Sequence, residues 1–176
     1  MKIAIVALGA SYTQYTDAVK LAGGRHALYD ETWVINALGG VLQHDRVFHM
    51  DDVAVQERRA EAKNPHIARM LDWLRKHPGP VYTSVVRDGY PGLVAYPLAD
   101  VLKAVGDTRP YFNNTTAYAI AFAIYLGVKE MALYGMDYTY PNRAFAEEGR
   151  ACVEYWIGQA VARGIRVRVA SRSALL

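Results

Sequence analysis

Short apolar runs alternate with segments of mixed apolar and polar residues from one end of the chain to the other. Lys2–Leu8 is a compact apolar run of the kind that fills a central parallel strand, buried on both faces. Gly9-Ala10-Ser11 follows as a turn, and Thr16–Ala22 reads as a short helix stopped by Gly23-Gly24. Glu31–Asn36 and Val47–Met50 are the second and third expected strands, the third ending at Asp51-Asp52. Val53–Ala62 and Pro65–Lys76 read as helices, the latter amphipathic and closed by Pro78-Gly79-Pro80. Val81–Ser84 is a fourth strand, Asp88–Tyr96 a Gly- and Pro-bearing loop, and Leu98–Val105 a short helix.

Phe112–Tyr140 is the most informative stretch. Asn114, Thr115 and Thr116 are cap-type residues, the helix behind them is apolar on nearly every face, and Gly127 stands where a helix stops. Val128–Tyr134 is then a buried strand ending in Gly135-Met136-Asp137. A long helix, Ala146–Arg163, and a last strand, Ile165–Val169, complete the pattern, with the tail Ala170–Leu176 expected to pack over the sheet. Strand and helix alternate throughout without repeats or linker, which predicts an α/β fold with a mainly parallel sheet in one domain, residues 1–176.

Composition narrows the function classes. With 20 basic and 17 acidic residues the net charge is +3, and the mild basic cluster Arg163–Arg172 reads as a solvated edge, so nucleic acid is not the expected partner. The single cysteine, Cys152, excludes an internal disulfide framework and a cysteine-rich zinc site. No run approaches the ~18 apolar residues of a membrane span, and Ile3–Leu8 is too short for a signal peptide, so a cytoplasmic protein is expected.

Candidate chemistry gathers where strands end, because open α/β sheets bind ligands outside those carboxyl ends. Gly9 lets backbone N–H groups approach a phosphate or ribose, and Ser11 has a hydroxyl to donate, although neither a full dinucleotide fingerprint nor a Walker A loop is present. Asn36 has a donor and an acceptor for a sugar hydroxyl or base edge. His49 and Asp51 are candidates to face a ligand, with metal binding weakened because Asp51 and Asp52 point to opposite faces of an extended segment. Asn113 to Thr116 put more polar groups at a helix start than capping needs, which suits an anion or sugar. Asp137 is a candidate base or hydroxyl acceptor, and Glu147, Glu148 and Arg150 open the last long helix. His66 and His77 read as surface helix residues, and Cys152 as core.

The order of these landmarks resembles the Rossmann-like fold of the bacterial lipooligosaccharide sialyltransferases (glycosyltransferase family 42). It is also similar to the related motility-accessory-factor and 6-hydroxymethylpterin diphosphokinase-like proteins. The similarity rests on Gly9-Ala10-Ser11-Tyr12, on Asn36 after the second strand, and above all on Asn114-Thr115-Thr116, Leu126-Gly127-Val128-Lys129-Glu130-Met131 and Gly135-Met136-Asp137. The tail Ser171–Leu176 resembles a closing Asn-Ser-Leu-Leu of that group, and Cys152-Val153-Glu154-Tyr155-Trp156-Ile157-Gly158 resembles the Cys-Glu-Tyr-x-x-Gly helix of small phage and prophage proteins. By position, the resemblance implies that Gly9, Ser11, Asn36, Thr115 and Thr116 hold a nucleotide, with Asp51 beside it.

The implied function is transfer from a nucleotide sugar. Alternatives are a Mg²⁺-dependent diphosphokinase-like enzyme with Asp51 and Asp137 as metal ligands, or a non-catalytic nucleotide-binding module of phage type. The family's histidine-bearing lid falls between Gly-x-Asp and the last helix; here that interval, Tyr138–Arg143, has no histidine. A base would then come from Asp137, His49 or Glu147. The sequence leaves homo-oligomer formation open.

Overall fold

A computed structural model describes residues 1–61, 64–106 and 110–175. Seven strands form one sheet: β1 (Lys2–Val6), β2 (Glu31–Ile35), β3 (Arg46–Phe48), β4 (Val81–Thr83), β5 (Leu93–Ala95), β6 (Glu130–Tyr134) and β7 (Arg166–Val169). Their order is β5-β4-β3-β2-β1-β6-β7 and every pairing is parallel. The chain builds outward from β1 to β5 on one side and then crosses to lay β6 on the other. β1 and β6 therefore flank the topological switch point.

Pleat alternation sends β1 side chains to two cores. Ile3 and Ile5 join Trp33, Phe48, Met131 and Leu133 under α4 (Leu98–Val105), α5 (Thr115–Tyr125) and α6 (Arg143–Ala162). Ala4 and Val6 join Val34, Val47 and Val81 under α1 (Thr13–Leu21), α2 (Val53–Glu61) and α3 (Pro65–Lys76). Helices thus cover both faces, and the fold is an α/β, Rossmann-like one. No helix among the described residues is long and apolar enough to cross a membrane.

Several expected boundaries move for local reasons. The segment expected as a loop, Asp88–Tyr96, contributes β5, whose three residues are too few to show a period; Val81 N–H bonds Gly92 O at 2.8 Å at its edge. A 3-10 turn, Ala10–Tyr12, runs directly into α1, so that helix begins at Thr13. α6 starts at Arg143 because Asn142 Oδ1 caps it, accepting from Phe145 N–H at 3.1 Å. In the tail, Leu175 is buried and Ser173 Oγ donates to Met136 O at 2.6 Å. Ala62, the expected end of α2, and Leu176 lie outside the described residues. Of the basic cluster, Arg166 and Arg168 flank the Glu130 carboxylate at 3.4 Å each while staying largely exposed.

Candidate functional site

The loops after β1 and β6 meet at the switch point, and glycine makes their contact possible. Gly135 adopts φ 70°, and a Cβ there would lie 2.0 Å from Ala7 O. A Cβ on Gly9 would lie 2.6 Å from Gly135 O, the atom that accepts the Gly9 N–H at 2.8 Å. Any side chain at either position would separate the loops.

Asp137 and Ser11 lock this contact from within. Ser11 N–H donates to Asp137 Oδ2 at 2.7 Å, Ser11 Oγ donates to Asp137 Oδ1, and Gly135 N–H donates to Ser11 Oγ at 2.9 Å. Ser11 is 2% exposed and Asp137 6%. The hydroxyl expected to reach a ligand is therefore engaged on both sides, and Ser11 lies outside the cleft lining. Both oxygens of Asp137 accept from Ser11, so the proposed base is also the clasp between the two loops.

Beside the clasp opens a cleft of about 480 Å³. Gly9, Asn36, Asp51, Asn114, Thr115 and Thr116 all line it, bringing six of the seven expected ligand-holding residues together from four separate loops. Asn36 begins a 3-10 turn, Asn36–Gly40, with φ 51°, a left-handed conformation that asparagine tolerates. Asp51 Oδ2 accepts from Gln56 Nε2 at 3.0 Å.

At the start of α5 the polar residues divide their work. Asn114 Oδ1 caps the helix by accepting from Ala117 N–H at 3.0 Å, and its amide donates to Asn113 Oδ1 at 2.9 Å and Gly149 O at 3.0 Å. Asn113 Nδ2 donates to Glu148 O at 2.8 Å. Both asparagines tie α5 to α6, so Asn114 borders the cleft as a brace with its amide hydrogens engaged. Thr115 and Thr116 also line the cleft at the positive end of the helix dipole, Thr116 buried with its side chain hydrogen-bonded to Tyr138.

His49 does not reach the lining. It is 1% exposed, and burial pushes its pKa below the ordinary histidine value while nearby Asp51 pulls the other way. Sequence reasoning missed the hydrophobic wall. Leu8, Tyr140 and Phe145 line the cleft while 53%, 53% and 55% exposed, and Tyr140 meets Phe145 edge-on at 5.3 Å. The only available signal was a Tyr-Thr-Tyr run after Gly-x-Asp. Tyr138, at φ 51°, stands between this cleft and a second of about 400 Å³ that Arg143, Glu147 and Arg150 border. Burial pushes its phenol well above the ordinary tyrosine value.

Among the described residues, the charged side chains in the main cleft are Asp51 and Asp137, and no Lys or Arg lines it. No group of three or more metal-ligating side chains occurs among the described residues. No family model, curated protein or solved structure matches this chain.

Proposed function

We propose that the cleft binds a nucleotide with a single phosphate, in the manner of a nucleotide-sugar donor, and that the protein is glycosyltransferase-like. The observation that carries this reading is the composition of the cleft at the β1/β6 switch point: amides, hydroxyls, exposed backbone, the Asp51 and Asp137 carboxylates and an aromatic wall, with no basic side chain among the described residues. Backbone N–H groups at Ala10 and the start of α5 suit one phosphate, the Gly9 N–H being held by Gly135 O. A polyphosphate would need cations to offset its charge. Asn36 and Asp51 suit ribose hydroxyls, and Leu8, Tyr140 and Phe145 suit a base. The resemblance of Phe112–Tyr138 to the sialyltransferases supports the same assignment.

The Mg²⁺-dependent reading is weaker because Asp137 would have to leave Ser11 to serve as a ligand. A second reading, a nucleotide-binding module without transfer, is favoured by the states of Asp137 and His49, the first engaged and the second buried off the lining. If transfer occurs, Glu147 in the adjoining cavity is the remaining base candidate, held at 2.9 Å by Arg143.

A thermal-shift panel of CMP-, UDP- and GDP-linked sugars, ATP and GTP, with and without Mg²⁺, tests this. Stabilisation by a nucleotide sugar without metal is expected, CMP-linked donors first. Stabilisation by ATP only with Mg²⁺ replaces the proposal with the diphosphokinase-like alternative, and no stabilisation rejects all three readings. Release of free nucleotide from the stabilising donor separates a transferase from a module. Asn36→Ala and Thr116→Ala should each weaken binding with little change in melting temperature.

A further inference from the structure

A row of buried polar side chains runs sideways from the cleft. Ile35 pairs with Phe48 and Phe48 with Tyr82 across β2, β3 and β4. The next residues, Asn36, His49 and Thr83, therefore stand side by side at the carboxyl edge, each about 4.8 Å from its neighbour's strand. Between β3 and β4 the ladder still holds at this level, with His49 N–H donating to Tyr82 O at 2.8 Å, while Asn36 already begins its 3-10 turn.

This row is where buried hydrogen-bonding capacity goes unmet. Five buried side-chain polar atoms lack a hydrogen-bond partner among the described residues, and four of them are Asn36 Oδ1, His49 Nδ1, His49 Nε2 and Thr83 Oγ. His49 is 1% exposed and Thr83 0%. Folded proteins almost always pair such groups, because leaving them dry and unpaired is unfavourable. The row is contiguous with the cleft at Asn36, which belongs to both, and Asp51 of the cleft lining follows His49 by two residues. Beside the row, Ser84 Oγ donates to Met50 O at 2.9 Å and Arg87 Nη2 to Asp52 Oδ2 at 2.8 Å.

The chemistry of the row is neutral and two-sided. A buried, uncharged imidazole has one donor and one acceptor, a threonine hydroxyl both donates and accepts, and Asn36 Oδ1 accepts. None of the three side chains carries a fixed charge, and the nearby Asp51 carboxylate acts on His49. Hydroxyl groups, which donate and accept at once, are its match.

We propose that Asn36, His49 and Thr83 form a subsite for the vicinal hydroxyls of the bound ribose, reached from the cleft at Asn36. This rests on the nucleotide reading of the cleft. It accounts for both the clustering of the orphan atoms and their position at the cleft's flank: ligand hydroxyls supply the missing partners. The row is thereby strained without ligand and relieved with it.

The strain gives the test a signature that packing alone lacks. Thr83→Val keeps the shape and removes the orphan hydroxyl, so the ligand-free protein should melt at the same or a higher temperature. Its affinity for the preferred ribonucleoside monophosphate should fall about tenfold, the loss of roughly one hydrogen bond. His49→Leu should behave alike, and Thr83→Ser should retain affinity. Calorimetry with the four ribonucleoside monophosphates and their 2′,3′-dideoxy counterparts completes the experiment. Wild type should prefer the ribose form, and Thr83→Val should narrow that preference. A wild-type protein that binds the ribose and dideoxy forms equally overturns the subsite and leaves the nucleotide reading standing. Variants that melt lower with affinity unchanged overturn it too. A protein that binds no nucleotide overturns the parent reading and the subsite with it.

Discussion

Replacing Asp137 by alanine removes the acceptor for two buried donors at once, Ser11 N–H at 2.7 Å and the Ser11 hydroxyl. Neither can turn to water, because Ser11 is 2% exposed. An unsatisfied buried donor costs about 1–3 kcal/mol, so Asp137→Ala should destabilise by roughly 2–6 kcal/mol. For a domain of this size that is a fall in Tm of about 5–20 °C. Asp137→Asn is the milder perturbation. The amide oxygen can still accept one Ser11 donor, but the charge assistance is lost, so its effect should be about half as large. Urea unfolding at neutral pH, with Ser11→Ala and the double variant, isolates the pair. The expected coupling energy is about 1.5–3 kcal/mol, in the range of hydrogen bonds to a charged group. An Asp137→Ala protein within about 1 kcal/mol of wild type, with no coupling to Ser11, would refute the clasp. It would return Asp137 to the list of free catalytic carboxylates.

Two further predictions concern glycine and histidine. Gly135→Ala should abolish soluble folded protein, since its Cβ meets Ala7 O at 2.0 Å, whereas Gly158→Ala, in α6 with nothing within 4 Å, should stabilise by roughly 0.5–1 kcal/mol; expression yield and circular dichroism read both. Stability should also fall as pH drops below the ordinary histidine value of 6.5, because burial lowers the pKa of His49 and of His77 in the folded state. The sign follows from linkage: both stay neutral in the folded protein while the unfolded chain takes up protons, so the stabilisation is full above that pH and lost below it. His77 Nδ1 accepts from Gly79 N–H at 3.0 Å and His44 Nδ1 donates to Leu42 O at 2.7 Å. The 2.9 Å contact between their Nε2 atoms is thereby one neutral hydrogen bond donated by His77, and protonating His77 at Nδ1 would remove the acceptor of the Gly79 N–H. Urea midpoints that stay flat from pH 7 to pH 5 would contradict this.

The period of the pattern made most of the fold legible. Within the apolar runs Lys2–Leu8 and Val128–Tyr134, Ile3–Val6 and Glu130–Leu133 are buried on both faces, as strands of a parallel sheet between helix layers are. β5 stayed hidden because three residues, of which Val94 and Ala95 are exposed, have neither a run nor an alternation to read. His77 was misplaced on a helix surface for a different reason. Its partner, His44, lies 33 residues away, and nothing in the local pattern of α3 refers to it.

The site divides along the same line. Where strands end is a local property, so the address of the cleft could be read: Gly9, Asn36, Asp51, Thr115 and Thr116 do converge. Whether a polar side chain there is free or bound to another is not local. Ser11 and Asp137 are 126 residues apart in sequence and consume each other's hydrogen bonds, and Asn114 is taken up by Gly149, 35 residues on. The opposite case is the row Asn36, His49 and Thr83, where three strands bring polar groups level with one another and leave them unpaired. A polar residue at a strand end is thus a stronger functional candidate when its neighbours leave it unsatisfied than when its residue type alone suits the chemistry. By that criterion the catalytic candidate Asp137 is the more structural of the pair and the buried His49 the more functional. The two substitutions should separate accordingly, Asp137→Ala lowering stability and His49→Leu lowering affinity.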